Sequence, residues 1–306
     1  MFINIFSRRE NAKRAVHDPV RENVENKYPY NSVLSASSVT NKVTEDANQD
    51  AVVVVRNSYR HFNAFAVADG IGGLRFGGEA ARLAISAAEE LLLSHEPFRF
   101  RDIFVGIQLY LKRGASRIVK GDELDQFGTT LILAVETSTR FLVGYLGNGS
   151  LWHVRGNYHS CQNERRSIPW CAVNLLNPHS IEKEGREVLT RFLSPLALYE
   201  PTIIEIYKDS IEGDVLIATT DGLSSADQVQ VGCDGNGTQW TRAEMWLPQI
   251  LSRLKPALSG GDVSTTLHNY LHEKKQRGEL DDDTTIATLI SQEAIASITR
   301  DEKQNE

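Results

Sequence analysis

Short apolar runs, each long enough for one β-strand and separated by turn residues, are the feature that most constrains the fold. The first three occupy residues 33–39, 51–55 and 62–68. Apolar residues then recur at helical spacing over 79–93 and 103–118, which predicts two consecutive helices. Strand-like runs resume at 128–136, 140–147, 150–155, 203–207, 214–219 and 285–290, with a helical segment at 267–275. Helices inserted as a pair, instead of alternating with single strands, predict an α+β fold.

Composition divides the chain of 306 residues into one domain between two polar tails. Residues 1–30 are polar and mixed in charge, and residues 293–306 end in a charged run, so both are predicted to be solvated tails. The domain is therefore expected to span 31–292. Within it, residues 156–187 are polar and broken by prolines, which predicts a mobile insertion, or flap.

Charge and cysteine content exclude several classes of protein. The 33 Lys and Arg residues are outnumbered by 40 Asp and Glu, giving a net charge of −7, which argues against binding nucleic acid by neutralising phosphates. The 3 Cys residues are too few for a disulfide framework. No apolar run approaches the roughly 18 residues needed to cross a bilayer, and the amino terminus lacks the pattern of a signal peptide. A cytoplasmic protein that binds neither membrane nor nucleic acid is expected.

Aspartates stand at the ends of three apolar strands. Asp69 follows the strand 62–68, Asp221 follows the strand 214–219, and an acidic run at 281–283 leads into the last strand. A single Asp-Gly pair such as Asp69-Gly70 is usually an ordinary turn. Three such ends on adjacent antiparallel strands would bring carboxylates together at one edge of the sheets, where they repel one another unless a cation neutralises them. The pattern therefore predicts a metal site.

Oxygen ligands favour a hard cation. Carboxylates select Mg²⁺ or Mn²⁺, whereas zinc prefers His and Cys. Asp50, which opens the second strand, is a fourth candidate ligand, and the missing side chain of Gly70 would let a backbone carbonyl approach the ion. A zinc site is not favoured, because no ligand spacing typical of zinc occurs in the set His153, His159, Cys161, Cys171 and His179.

Six short motifs occur in order along the chain. They are Asn48-Gln49-Asp50, Val67-Ala68-Asp69-Gly70-Ile71-Gly72-Gly73, Phe127-Gly128-Thr129-Thr130, Leu189-Thr190-Arg191, Thr220-Asp221-Gly222-Leu223-Ser224 and Asp282-Asp283-Thr284-Thr285. This ordered set resembles the metal-dependent serine/threonine protein phosphatases, the type 2C or PPM group. The resemblance implies a β-sandwich of two antiparallel sheets, flanked by antiparallel helix pairs, with a two-metal centre at one end.

The resemblance also implies a role for each candidate site residue. Asp69 would bridge two Mn²⁺ or Mg²⁺ ions, Asp221 and Asp282 would hold the first ion, and the Gly70 carbonyl with Asp50 would serve the second. A water activated by both ions would hydrolyse phosphoserine or phosphothreonine in proteins. The implied partners are phosphoprotein substrates and a cognate serine/threonine kinase.

Several positions depart from the family pattern. Many members place an arginine that grips the substrate phosphate where this chain has Glu45, which leaves Lys42 or Arg56 as replacements. Asn148 stands in a turn that usually carries an aspartate, and residues 156–187 contain no aspartate, so two bound ions and no third are expected. A second hypothesis is a catalytically weak or dead phosphoprotein-binding module, although all the principal ligand aspartates are present.

Overall fold

A computed structural model describes residues 31–41, 48–94, 99–119, 121–156, 172–224, 228–231, 241–244 and 246–300. Its strands are β1 (Val33–Val39), β2 (Asp50–Asn57), β3 (Phe62–Asp69), β4 (Leu131–Glu136), β5 (Arg140–Leu146), β6 (Ser150–Arg155), β7 (Ala172–Asn174), β8 (Ser180–Lys183), β9 (Arg186–Leu189), β10 (Thr202–Tyr207), β11 (Asp214–Thr219), β12 (Gln228–Val231), β13 (Thr241–Glu244) and β14 (Thr284–Ile290). Its helices are α1 (Gly77–Leu93), α2 (Phe100–Ile118), α3 (Asp221–Ser224), α4 (Trp246–Gly260), α5 (Val263–Gln276) and α6 (Gln292–Thr299). None of the helices in these ranges combines the length and the apolar character needed to cross a membrane.

Two five-stranded sheets form the centre of the molecule. One has the strand order β1-β14-β11-β6-β7, and the other has the order β10-β5-β4-β3-β2. The strand pairs in both sheets are antiparallel. Two separate hairpins, β8–β9 and β12–β13, complete the strand set of the described residues. The predicted sandwich of antiparallel sheets is therefore confirmed.

The sequence of β3 shows how the layers are packed. Phe65 and Val67 point to the other sheet and join the core between the sheets. Ala64, Ala66 and Ala68 point the opposite way and join the core beneath α1 and α2. Because both faces are covered, the strand is a continuous apolar run, with the small alanine side chains on the face that meets a helix. The outer face of the other sheet is covered in the same way by α4, α5 and α6.

The end of the domain differs from the sequence prediction. Residues 292–299 form α6, although a polar tail was predicted from residue 293. Ser291 caps this helix by accepting a hydrogen bond from the Ala294 backbone N–H, and Ala294 and Ile298 are buried against the sheet. The predicted boundary therefore cuts through a helix that belongs to the core.

The predicted flap also contains regular structure. Residues 172–187 include β7, which extends one of the central sheets, and most of the β8–β9 hairpin. The side chains of this hairpin are largely exposed. Residues 157–171 lie outside the described part of the chain.

Candidate metal centre

The antiparallel sheets bring the predicted aspartates to one end of the sandwich. Asp50 begins β2 and Asp69 ends β3, and the two residues are directly paired across the strands. In the other sheet, Asp221 follows β11, and Asp282 precedes β14, the antiparallel neighbour of β11. The four candidate side chains thus come from four strand ends, as the sequence predicted.

Asp50 is the most deeply buried of the four. Its Oδ2 accepts a hydrogen bond from Thr220 Oγ1 at 2.9 Å, and the Thr285 backbone N–H donates to the same hydroxyl at 2.9 Å. Its Oδ1 is buried and meets no hydrogen-bond donor among the described residues. Burial raises the pKa of Asp50 to about 7, and the charges of Asp283 and Asp221 add to the effect against the opposing threonine hydrogen bonds.

Asp69 and Asp221 experience the same unfavourable environment. Burial raises the pKa of Asp69 well above its ordinary value, and the neighbouring charges of Asp50 and Asp221 raise it further. Burial also raises the pKa of Asp221, although the Asn148 Nδ2 donates to Asp221 Oδ2 at 2.9 Å and opposes the shift. Three carboxyl groups are therefore held together where their ionised forms are destabilised.

Asp282 and Asp283 have different positions despite being adjacent. Asp282 is exposed at the rim, its Oδ1 accepts the Asp283 backbone N–H at 2.8 Å, and its charge acts on Asp221. Asp283 is buried and accepts hydrogen bonds from Thr40 Oγ1 (2.7 Å), the Asn41 N–H (2.9 Å) and the Gln49 N–H (2.8 Å). It therefore fastens both ends of the β1–β2 connection to the start of β14.

The glycines beside the aspartates are needed for close backbone packing. A β-carbon on Gly70 would lie 2.3 Å from the Gly77 carbonyl carbon, at the start of α1. A β-carbon on Gly222 would lie 2.3 Å from the Asp283 carbonyl oxygen. The sequence interpretation of Gly70 invoked room for a metal ion, whereas the structure shows that the missing side chain first lets α1 approach the site.

The donor chemistry fits a hard cation. The candidate side chains offer only oxygen, and the buried Oδ1 of Asp50 lacks a donor, which is the environment that Mg²⁺ or Mn²⁺ satisfies. Within the described residues, no group of three or more His, Cys, Asp or Glu side chains is arranged as a metal cage. The residues present therefore match the chemistry of the predicted ions without defining their positions.

Arg56 is too far away to bind a phosphate at this end. It lies six residues after Asp50 on β2, about 20 Å along an extended strand. Its NH2 group donates to the Ser32 carbonyl at 2.9 Å, and burial lowers its pKa. The interpretation of Arg56 as a replacement for the family arginine is therefore wrong. Lys42 and Glu45 lie outside the described residues.

The histidines considered for zinc have other partners. His153 Nε2 lies 2.7 Å from Asp214 Oδ1, and His179 Nε2 lies 2.8 Å from Thr202 Oγ1. Burial and the nearby charge of Arg191 lower the pKa of His179 to about 4, so the ring is neutral near pH 7. His159, Cys161 and Cys171 fall outside the described ranges.

Comparison with known proteins supports the predicted resemblance. A family model described as Protein phosphatase 2C matches residues 40–168. No curated protein matches the sequence. Among solved structures, a serine/threonine phosphatase of S. agalactiae aligns with a TM-score of 0.60 at 15% identity, covering 84% of this chain and 98% of that one.

A second solved relative is the PstP/Ppp serine/threonine phosphatase of Mycobacterium tuberculosis. It aligns with a TM-score of 0.55 at 20% identity, covering 85% of this chain and 98% of that one. A catalytic domain of PstP has also been solved in complex with 2 manganese ions. The resemblance to the type 2C phosphatases is thus confirmed, and the fold of this chain is the fold of those enzymes.

Proposed function

We propose that this protein hydrolyses phosphoserine and phosphothreonine in other proteins and depends on two Mn²⁺ or Mg²⁺ ions. One observation carries the proposal: Asp50, Asp69 and Asp221 are buried together with raised pKa values at the end of the sandwich. Carboxylates packed in this way lower the stability of the fold unless they serve a cation. The presence of all four candidate aspartates favours an enzyme over the catalytically dead binding module.

The proposed ligands follow the pattern of the type 2C family. Asp69 would lie between the two ions, Asp221 and Asp282 would hold one of them, and Asp50 with the Gly70 carbonyl would serve the other. When bound, such a pair of ions lowers the pKa of a water and neutralises charge on the phosphoryl group.

Other residues of this chain hold the ligands in place. Thr220 donates to Asp50, and Asn148 donates to Asp221, so each carboxyl keeps one oxygen in a fixed orientation. The Asp283 carboxylate accepts a hydrogen bond from the backbone N–H of Gln49, the residue before Asp50. These contacts would limit the movement of the ligands when charge develops in the transition state.

The remaining parts of the proposal rest on the resemblance alone. We infer that the substrates are phosphoproteins and that a serine/threonine kinase supplies them. PstP, which shares the fold, is described as a serine/threonine protein phosphatase. A cytoplasmic location for this chain stays a prediction.

Hydrolysis of two substrates tests the proposal. The full chain, stripped with EDTA and reloaded with Mn²⁺, should release phosphate from p-nitrophenyl phosphate and from a phosphothreonine peptide, and EDTA should abolish both activities. Binding of the peptide without hydrolysis at any Mn²⁺ concentration would instead identify the binding module. If the chain neither binds nor hydrolyses the peptide, both the enzyme and the binding-module hypotheses are contradicted.

A further inference from the structure

We propose that Arg82, on α1, binds the substrate phosphate in place of the family arginine. The inference rests on the proposed function. The NH1 group of Arg82 donates to the Asn48 carbonyl oxygen at 3.3 Å. Asn48 begins the Asn48-Gln49-Asp50 motif, so the guanidinium lies against the segment that leads into a candidate metal ligand.

Backbone contacts connect this segment to the rest of the site. The Asn48 side-chain oxygen accepts the Asp50 N–H at 2.9 Å, and the Gln49 carbonyl accepts the Gly70 N–H at 3.0 Å. The Gly70 backbone packs directly on the start of α1, the helix that carries Arg82. Arg82 thus contacts the segment that holds Asp50, and the same segment is hydrogen-bonded to Gly70 beside Asp69.

The guanidinium packs beside Gly78, in the first turn of α1. A β-carbon on Gly78 would lie 3.4 Å from Arg82 NH2, 3.5 Å from Arg82 NH1 and 3.4 Å from the Gln49 α-carbon. These distances are ordinary van der Waals contacts, so the guanidinium and the Gln49 backbone both lie directly against the Gly78 position. The Arg82 side chain is 37% exposed, which leaves it accessible to a ligand from solvent.

Glu79 shows what kind of ligand this guanidinium accepts. Its Oε1 lies 3.2 Å from Arg82 NH2, one helical turn earlier. A carboxylate and a phosphate present similar anionic oxygens to an arginine fork, and five N–H donors allow several contacts at once. We therefore infer that Glu79 competes with the substrate phosphate for Arg82.

The other arginines considered are less suitable. Arg56 lies at the opposite end of the sandwich, bonded to the Ser32 carbonyl. Arg191 belongs to one of the family motifs, but its guanidinium donates to the Glu200 carbonyl and to Thr202 Oγ1, both at 3.3 Å. Arg82 is the candidate whose contacts lead to a proposed ligand.

Phosphate binding measured by calorimetry tests the assignment. Inorganic phosphate is titrated into the Mn²⁺-loaded full chain, and Arg82→Ala is expected to weaken binding about tenfold or more, with Arg82→Lys intermediate. Glu79→Gln should strengthen binding about two- to fivefold, because it removes the competing carboxylate. The matched control is Arg253→Ala on α4, whose 2.9 Å pair with Glu273 has nearly the same side-chain exposures, 36% and 45%.

Kinetics separate phosphate binding from a structural role. Arg82→Ala should raise the KM for a phosphothreonine peptide by about the same factor as the phosphate dissociation constant, with a smaller change in kcat. Unchanged phosphate binding in Arg82→Ala, or a loss confined to Arg191→Ala, overturns the assignment. Absence of hydrolysis by the wild-type chain overturns the proposed function alone, because calorimetry still reports whether phosphate binding depends on Arg82.

Discussion

Both ends of the sandwich bury carboxylates, and at one end Lys and Arg side chains neutralise them. At the end away from the candidate metal centre, Glu136 is fully buried and its Oε1 lies 2.7 Å from Lys208 Nζ. Ser32 and Asn63 also donate to Glu136, at 2.7 and 2.8 Å. The chain thus supplies this carboxylate with a positive charge and with two further hydrogen-bond donors.

Asp214 repeats the arrangement at the same end. Its Oδ1 accepts from Arg155 Nε at 2.8 Å and lies 2.7 Å from His153 Nε2. Its Oδ2 accepts the Asp209 N–H at 2.8 Å. Both oxygens of this fully buried side chain therefore have a partner, and Arg155 supplies a positive charge at Oδ1.

At the candidate metal centre, no Lys or Arg of the described residues forms an ion pair with Asp50 or Asp69. Burial raises the pKa values of both groups, and the nearby charges add to the rise: Asp283 and Asp221 act on Asp50, and Asp50 and Asp221 act on Asp69. The fold shows at its other end that it can neutralise buried carboxylates with Lys and Arg. The difference supports the proposed metal centre at the end that carries Asp50, Asp69, Asp221 and Asp282, which is called the acidic end below.

The largest expected effect comes from removing the acidic end's charges. Asp69→Asn, Asp221→Asn and Asp282→Asn should each lower Mn²⁺-dependent turnover by at least ~10²-fold, because each removes charge where the transition state needs it. Glu136→Gln, at the other end, should change turnover by less than about threefold. Steady-state hydrolysis of p-nitrophenyl phosphate, with folding verified by circular dichroism, makes the measurement. If a variant keeps near wild-type turnover, the substituted aspartate is not a metal ligand.

The converse experiment removes a positive charge from the other end of the sandwich, where Lys208 pairs with Glu136. Lys208→Met should lower the free energy of unfolding by about 3 kcal/mol, because it leaves Glu136 buried without its charged partner. Arg140→Met is the control, since Arg140 pairs with Glu205 at the same 2.7 Å but in an exposed position, and its loss should cost less than about 1 kcal/mol. Urea unfolding measures both. Equal effects would mean that burial does not distinguish the two pairs.

A third prediction concerns the sign of the pH dependence at the acidic end. Because the pKa of Asp50 rises from 3.8 to about 7 on folding, its contribution to stability is present below pH 3.8 and is lost as the pH rises towards 7. In metal-free protein, Asp50→Asn should therefore gain roughly 3 kcal/mol of stability relative to wild type between pH 4 and pH 7.5.

Manganese should reverse this difference. An ion that binds only the folded wild type stabilises it by about 2.7 kcal/mol at a concentration of 100 Kd, and Asp50→Asn should gain less. Urea unfolding at pH 4, 6 and 7.5, with EDTA or with Mn²⁺, provides the comparison. A metal-free variant that is less stable than wild type at pH 7.5 would show that Asp50 is satisfied by the protein itself.

Most of the fold could be predicted because local patterns and tertiary packing agree. The residues of β1, β6 and β11 match the predicted runs, and the aspartates at strand ends did identify one end of the sandwich. Helix α4 was missed because Pro256 lies inside it, and a proline usually ends a helical pattern. Helix α6 was missed because it is short and runs directly into the charged residues 300–306, which led to the prediction of a tail.

The rest of the site depends on contacts between distant segments. Asp283 holds Gln49 across 234 residues, and no local pattern distinguishes it from the neighbouring Asp282. Arg82 reaches Asn48 across a helix–loop contact in the same way. Arg56, by contrast, could have been excluded as a phosphate ligand from the sequence alone. It lies six residues after Asp50 on one strand, and the rise of an extended strand places the two about 20 Å apart.

The smallest effect is expected at Asn148, in the turn between β5 and β6. Its amide donates to Asp221 Oδ2 at 2.9 Å, so it stabilises a carboxylate where an aspartate would repel one. The charge of Glu187, on the β8–β9 hairpin, also raises the pKa of Asp221. Asn148→Asp should therefore lower metal-free stability by about 1 kcal/mol, through the lost hydrogen bond and the added repulsion.

The same substitution should create a binding site for a third ion, because a hard cation prefers a carboxylate to one neutral amide oxygen. Anomalous scattering from crystals soaked in millimolar Mn²⁺ should show two peaks in the wild type and a third beside residue 148 in Asn148→Asp. Asn148→Ser, which removes the amide without adding charge, serves as the control and should show two. A well-occupied third peak at Asn148 of the wild type would contradict the prediction. It would mean that the oxygens around Asp221 bind a third ion without a carboxylate at position 148.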